Sequence, residues 1–197
     1  MEGLHGLKEH GICGIVVRNL DELAYLHHMG YQGKLVIDNS LYVMNNYAAA
    51  FIQKAFPNAR VTVPVELNHR QIKKLSFIQR DWEIEAYGYQ QLMVSAQCLQ
   101  NTLRHCSYTN ETFRMQDRYH KSFFVSCICK YCYNIIYNGI PTVIFDLLRE
   151  EFTGKGVLRL HFTKESEEEV QKVLDVFFGG KSYDGDKTRG HYNRGVE

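Results

Sequence analysis

The chain has 197 residues, 45% of them hydrophobic, and a formal net charge of +1. A chain of this length and composition can bury one core, so we expect one globular domain and exclude a disordered tail. The near-neutral charge excludes a global attraction to nucleic acids, acidic partners or membrane surfaces, and any charged contact must therefore be local.

The sequence contains no pattern typical of a membrane segment or leader. No run approaches the roughly eighteen apolar residues of a transmembrane helix, and no charged-then-apolar segment opens the sequence. We therefore expect a cytoplasmic protein without a membrane partner, in a reducing compartment that keeps its cysteines as thiols.

Three consecutive strand and helix patterns fill the first part of the chain. Each apolar run of strand length is followed by an asparagine that can cap the next helix. Asn19 has Glu22, and Asn68 has Gln71, at the spacing of a reciprocal capping box. The predicted strands are 12–18, 35–37 and 60–67, and the predicted helices are 20–30, 47–56 and 69–78.

The second part of the chain continues this alternation around a cysteine-rich stretch. The pattern predicts a strand at 82–88, an apolar run at 91–96, a helical turn at 132–138, a strand at 157–162 and an amphipathic helix at 163–178. Within the last of these, Ser166 and Glu169 have the spacing of a capping box. Such alternation predicts an α/β fold with a parallel sheet, built as an open sheet or as part of a (β/α) barrel. We divide the chain into βα repeats (1–97), a cysteine-rich metal-binding insertion (98–138), final βα elements (139–180) and a glycine-rich basic tail (181–197).

Five of the six cysteines lie between residues 98 and 132, and two of them form a CxxC pair. Such a pair can place two thiolates on one metal ion or cluster. Disulfides would suit a secreted chain, and inert burial could explain Cys13 and Cys127. Spacing alone favours a structural zinc site over an iron–sulfur cluster but does not separate them. The candidate ligands are Cys98, Cys106, Cys129 and Cys132, with Cys127 as a possible extra thiol.

Polar residues at strand ends are the other candidates. Most asparagines, serines and threonines there are expected to be caps, but Glu66 follows Pro64 and Val65 with no capping role and is a candidate functional carboxylate. The tail carries Arg189, His191 and Arg194 among glycines, which fits a solvated linker or a contact to an anion or RNA phosphate. Signatures of dinucleotide, phosphate-loop, zincin and serine-hydrolase sites are missing from the sequence.

Several motifs in the same order resemble one known family. They are VRNLDEL, VTVPVELN, YGYQQLMVSAQC, CKYCYNIIYN, LRLHFTKE and TRGHYNRGVE. Together they resemble the bacterial collagenase-like peptidases, the family numbered thirty-two among those of unknown catalytic type. The resemblance implies a (β/α) barrel, here its second half, so that the partners would include the rest of the barrel and a downstream domain of a longer chain.

Similar members of that family imply hydroxylation of RNA (tRNA or rRNA) bases, with a metabolite such as prephenate as the oxygen source. They also imply a [4Fe-4S] cluster on Cys98, Cys106, Cys129 and Cys132, which reverses the preference for zinc. Glu66 and Arg159 would then position an RNA base or small aromatic substrate, and the tail would contact phosphate. One position departs from the pattern, because Tyr89 stands where the family commonly has arginine.

Two other functions remain open on the sequence. The family name implies a metal-dependent or cysteine-dependent peptidase of collagen-like chains, although no nucleophile and base occur at a recognisable spacing. The chain could also be a non-catalytic barrel fragment held together by its metal.

Overall fold

The structure is a computed structural model that describes residues 11–79, 81–151 and 156–196. The chain forms two compact units. Unit 1 comprises Met1–Glu85, Leu147–Arg159 and Gly190–Glu197, and unit 2 comprises Ala86–Asp146 and Leu160–Arg189.

Ten strands and six α-helices lie in the described part of the chain. The strands are β1 (Gly14–Val17), β2 (Lys34–Ile37), β3 (Arg60–Thr62), β4 (Trp82–Gly88), β5 (Gln91–Ser95), β6 (Thr112–Gln116), β7 (Ser122–Ile128), β8 (Tyr133–Tyr137), β9 (Thr142–Val143) and β10 (Gly156–His161). The helices are α1 (Leu20–His28), α2 (Asn46–Ala55), α3 (His69–Ile72), α4 (Leu99–Leu103), α5 (Phe145–Glu151) and α6 (Glu167–Gly179).

One sheet has the order β1-β2-β3-β4-β10, with β9 paired antiparallel to β4. Strands β1 to β4 are consecutive neighbours and run parallel. Val17, Ile37 and Val61 of the first three strands are fully buried. This confirms the predicted α/β fold with a parallel sheet, because each strand has apolar side chains that a crossover helix can cover.

The predicted helix starts are confirmed at their caps. The side chain of Asn19 accepts the backbone N–H of Glu22, and that of Asn45 accepts those of Tyr47 and Ala48. Complete capping boxes begin α3 at Asn68 and α6 at Ser166. These side chains satisfy N–H groups that the first helical turn cannot pair internally.

The third strand is shorter than predicted. Residues 60–67 read as one strand, but β3 ends at Thr62 and a turn joins the carbonyl of Pro64 to the N–H of Leu67. Proline has no N–H to donate to a ladder, so pairing stops there.

A second sheet is antiparallel and lies within unit 2, with the order β5-β8-β7-β6. The helical turn predicted at 132–138 is wrong, since Tyr133–Tyr137 is strand β8. Its backbone pairs with β5 on one side and β7 on the other, and two-sided pairing outweighs any local helical preference.

The described residues do not show a separate cysteine-rich insertion. Residues 98–132 contain α4, β6 and β7, and their strands belong to the same sheet as β5 and β8. In the described ranges, no helix combines the length and hydropathy needed to cross a bilayer.

Candidate functional site

Gln100 lies at the centre of the cysteine-rich part of unit 2. It is fully buried in the short helix α4, and its side-chain N–H donates to the carbonyl of Thr109 at 2.8 Å. Its Oε1 accepts from the thiols of Cys106 at 3.7 Å and Cys129 at 3.5 Å. The two sulfurs therefore lie within two hydrogen-bond lengths of each other, although 22 residues separate them in the sequence.

The tight turn that follows β7 holds Cys129. Its backbone N–H donates to the side chain of Asn110 at 2.9 Å, and its thiol contacts the carbonyl of Thr109 at 2.7 Å. Cys132 ends the same turn in the left-handed conformation, with φ of 53°, and its exposed thiol points to the Cys129 carbonyl at 3.7 Å. The CxxC pair thus occupies one turn, as the spacing predicts.

Cys98 and Cys127 flank this turn from two elements. Cys98 is the residue before α4 and makes no side-chain capping bond, so its thiol is not used to start the helix. Cys127 is buried in β7, and its N–H donates to the carbonyl of Glu111 at 2.8 Å.

The thiols influence one another electrostatically. Burial, followed by the nearby thiols of Cys106, Cys98 and Cys132, raises the pKa of Cys129. Burial, with Cys98 and Cys129 next, likewise raises the pKa of Cys127. These thiols therefore stay protonated near neutral pH unless a cation compensates their charge.

The four predicted ligands thus occupy one region of unit 2. The Gln100 carboxamide lies between two of them, and no group of three or more His, Cys, Asp or Glu side chains among the described residues is arranged to hold a metal ion. In the described conformation the cysteines have converged without closing around a single point.

Arg159, predicted to position substrate, makes a buried ion-pair network in unit 1. Its guanidinium donates to Asp38 at 2.7 Å and to Thr62 at 3.4 Å, and it also pairs with Glu83. Asp38 follows β2, Thr62 ends β3 and Glu83 lies near the start of β4, where it is the register partner of Thr62. Arg18 lies 3.5 Å from the other Asp38 oxygen.

This network determines the protonation of Asp38. Burial alone would raise the pKa of Asp38, but hydrogen bonds from Arg159 and Ser40 and the charges of both arginines outweigh it and lower the pKa. A substrate anion at Arg159 would have to compete with two carboxylates of the same unit.

Glu66 is placed differently. It lies in the turn after β3, and its Oε2 is buried without a hydrogen-bond partner among the described residues. Buried acceptors are normally paired, so this oxygen fits a group that meets a donor from outside the chain.

The tail residues divide between the units. In unit 2, Arg189 forms a two-pronged ion pair with Asp146, with one contact at 2.7 Å, and also donates to the carbonyl of Val143. In unit 1, exposed His191 contacts the carbonyl of Gly195 at 3.1 Å, and Arg194 is exposed. Of the three predicted anion contacts, His191 and Arg194 are the accessible ones.

Tyr89 follows β4 in unit 2, at the position where the family resemblance would place arginine. The ammonium of Lys164 lies 4.1 Å from the centre of its ring. Burial, followed by the charge of Glu165, raises the pKa of Tyr89 to about 12. The phenol is therefore neutral and supplies no positive charge for an anion.

Two important groups were not predicted from the sequence. Gln100 has no signal beyond its position two residues after a cysteine. Glu83 did have a signal in the sequence, because Glu83 and Glu85 alternate with apolar residues in a strand that is buried on both faces. Acidic residues at such positions require a buried partner, which Arg159 provides for Glu83.

Comparisons with known proteins return nothing for this chain: no family model, no curated protein and no solved structure matches it.

Proposed function

We propose that the chain is an iron–sulfur protein of the collagenase-like peptidase family that acts in the hydroxylation of RNA bases. The observation that carries the proposal is the convergence of distant thiols, with Cys106 and Cys129 on one buried oxygen of Gln100. Cys132 ends the same turn as Cys129, and Cys98 lies near enough to contribute to the raised pKa values of Cys127 and Cys129.

The separation of Cys106 and Cys129 in space is compatible with a cluster, because their thiols contact one Gln100 oxygen from 3.7 and 3.5 Å. Zinc in a structural site draws four sulfurs to about 2.3 Å from one point, whereas a four-iron cluster is itself a bulky group that thiolates hold at its corners. The Gln100 carboxamide lies between Cys106 and Cys129, so it would have to move for either metal to bind all four thiols. When bound, such a cluster supplies one-electron chemistry, which zinc lacks.

The surface of the same unit supports a nucleic-acid substrate. The stretch 98–138 contains more lysine and arginine than aspartate and glutamate. Tyr119 and Tyr131 are 67% and 65% exposed, and Arg118 and Lys130 lie over their rings at 4.8 and 5.2 Å. Exposed aromatic rings beside cations are typical of surfaces that stack bases and contact phosphate.

Two groups of unit 1 are assigned to substrate binding in this proposal. Glu66 contributes a buried oxygen that lacks a donor. Arg159 contributes a guanidinium that is 21% exposed while it pairs with Asp38 and Glu83. The accessible tail residues His191 and Arg194 are assigned to phosphate.

The proposal extends to the architecture of the parallel sheet. Strands β1 to β4 follow one another in sequence order without the reversal of an open doubly wound sheet. Consecutive parallel strands joined through helices are typical of a (β/α) barrel, so we assign the sheet to a barrel or half barrel.

Anaerobic expression followed by metal and sulfide analysis tests the cofactor. Serine replacement of each of Cys98, Cys106, Cys129 and Cys132 should lower the iron content and bleach the visible absorption. Cys13→Ser is the matched control, because Cys13 is an exposed thiol of unit 1. Equal iron loss in the Cys13 variant, or full iron in the Cys129 variant, would contradict the assignment.

The activity has a separate test. The loaded protein is incubated without oxygen with bulk RNA and prephenate, and the nucleosides are analysed by mass spectrometry. We expect a nucleoside heavier by one oxygen atom, formed by the parent and the Cys13→Ser variant but not by Cys129→Ser. A fully loaded protein that leaves RNA unchanged, or that cleaves gelatin instead, would refute RNA hydroxylation without affecting the cofactor assignment.

A further inference from the structure

Unit 2 contains a cavity that the proposed function does not use. Its volume is about 440 Å³, within the usual range of small-molecule sites. It lies at the carboxyl end of β4, against α6 and the segment that follows that helix. Ligands of parallel α/β proteins commonly bind at the carboxyl ends of strands. Its lining includes Tyr87, Tyr89, Tyr183, Glu165, Glu169 and Asp184.

Three tyrosine rings form the aromatic part of the lining. The rings of Tyr87 and Tyr183 have centroids 6.2 Å apart, and Tyr87 also packs on Phe162 at 5.3 Å. Two of the rings already face ammonium groups of the chain, since Lys164 lies 4.1 Å from the Tyr89 ring centre and Lys187 lies 5.7 Å from that of Tyr183. Cations therefore do approach these rings, although burial and then the charge of Arg114 lower the pKa of Lys164.

The electrostatic field at the tyrosines is set by carboxylates. Burial and then Glu165 raise the pKa of Tyr87, and burial followed by Glu169 and Asp184 raises that of Tyr183. Such shifts arise because a second negative charge is unfavourable beside the first. A cationic ligand is favoured in the same field.

Glu165 has an oxygen that needs a donor. Its Oε2 accepts the backbone N–H groups of Thr163 at 2.6 Å and Lys164 at 2.9 Å. Its Oε1 is buried and accepts no hydrogen bond of regular geometry in the described part of the chain, although the Tyr87 hydroxyl lies close enough to this carboxylate to interact with it. Neither of the two lining lysines, Lys172 and Lys181, is hydrogen-bonded to that oxygen, and the charge of Lys172 acts on exposed Glu168.

We propose that this cavity binds a small organic cation with a primary ammonium group, whose N–H groups donate to Glu165 while its apolar part packs on the tyrosines. A quaternary ammonium could contact the rings but could not donate. An anion would meet the carboxylates at the lining. The inference does not depend on the iron–sulfur assignment, because no cysteine lines the cavity.

A matched set of three probes tests the charge and the donor separately, by calorimetry on the full chain. Phenethylamine should bind saturably. Its N,N,N-trimethyl derivative should bind about tenfold or more weakly, because it lacks N–H donors, and 3-phenylpropanoate should not bind. Equal affinity of the first two probes, preference for the carboxylate, or no binding of phenethylamine would each overturn the proposal.

Two pairs of variants place the binding in the cavity. Glu165→Gln should weaken phenethylamine about tenfold or more, whereas Glu167→Gln removes the same charge from the start of α6 outside the lining and should leave affinity unchanged. Tyr89→Phe should retain binding and Tyr89→Leu should weaken it about tenfold, because only phenylalanine keeps an aromatic face. Equal effects within either pair would contradict the assignment, and circular dichroism verifies that each variant is folded.

Discussion

Replacing Arg159 by methionine should strongly destabilise unit 1. Asp38 and Glu83 have side chains only 8% and 9% exposed, and both pair with this guanidinium. Removing one partner of a buried ion pair typically costs about 3–5 kcal/mol, because the other charge stays buried. Arg18 remains 3.5 Å from Asp38 and Thr62 remains 3.1 Å from Glu83, so we expect a value near the lower end, about 3 kcal/mol.

Arg60→Met is the matched control. Arg60 forms a two-pronged ion pair with Asp81 at 2.7 and 3.1 Å, but Asp81 is 54% exposed. Exposed pairs contribute about 0–1 kcal/mol, since water already solvates both charges. Both substitutions remove an arginine from ion pairs, but Arg159 pairs with two buried carboxylates and Arg60 with one exposed carboxylate. The difference between the variants therefore measures the burial and the number of the charges left unpaired.

Urea unfolding followed by tryptophan fluorescence measures both variants. The chain has a single tryptophan, Trp82, which is buried at the start of β4 in unit 1 and reports on that unit. With a slope of about 2 kcal/mol per molar urea, the Arg159 variant should unfold about 1.5 M earlier, and the Arg60 variant within about 0.5 M of the parent. Similar shifts for both variants would refute the idea that the buried ion pairs of Arg159 stabilise unit 1, and would leave substrate binding as the role of Arg159.

Three further predictions concern single side chains. The pKa of Asp38 is lowered below its usual 3.8, so its contribution to stability is present above that value and lost as the pH falls through the folded-state pKa. The difference in unfolding free energy between the parent and Asp38→Asn should therefore be constant at neutral pH and shrink below about pH 4. A difference that grows as the pH falls would contradict this. Ser166→Ala should destabilise the protein by about 1 kcal/mol in thermal unfolding, because it removes the cap of α6, and no change would show that the capping box contributes nothing. Gly139→Ala should cost about 1–3 kcal/mol, because its Cβ would lie 1.7 Å from the carbonyl oxygen of Ser122. Gly179→Ala should instead stabilise α6 by about 0.5–1 kcal/mol, because its Cβ would meet only Lys181 Cγ at 4.0 Å, an ordinary contact distance. Equal effects of the two variants on the unfolding temperature would be inconsistent with the clash.

The parallel part of the fold was predictable because its signals are local. Asn19, Asn68 and Ser166 each precede a helix at the spacing of a capping box, and the structure places caps at all three. The antiparallel sheet was not predictable in the same way. Strand β8 is defined by its two neighbours, and such non-local pairing leaves little trace in a short run such as CYNIIYN.

The predicted cysteine ligands and Gln100 differ in the same way, because the cysteines have a local signal in the sequence and Gln100 has none. The CxxC pair predicted one turn for Cys129 and Cys132, and the structure has it. Gln100 gave no signal, since a buried glutamine is recognisable only by the thiols that reach it from Cys106 and Cys129. A polar core residue depends on partners that are distant in sequence.

Native mass spectrometry of the anaerobically purified chain tests the central assignment most directly. The claim is that Cys98, Cys106, Cys129 and Cys132 hold one four-iron cluster. The account predicts a mass increase equal to about four iron and four sulfide per chain, lost on Cys129→Ser and retained on Cys13→Ser. A chain that carries a single zinc ion, or no metal at all, would contradict it.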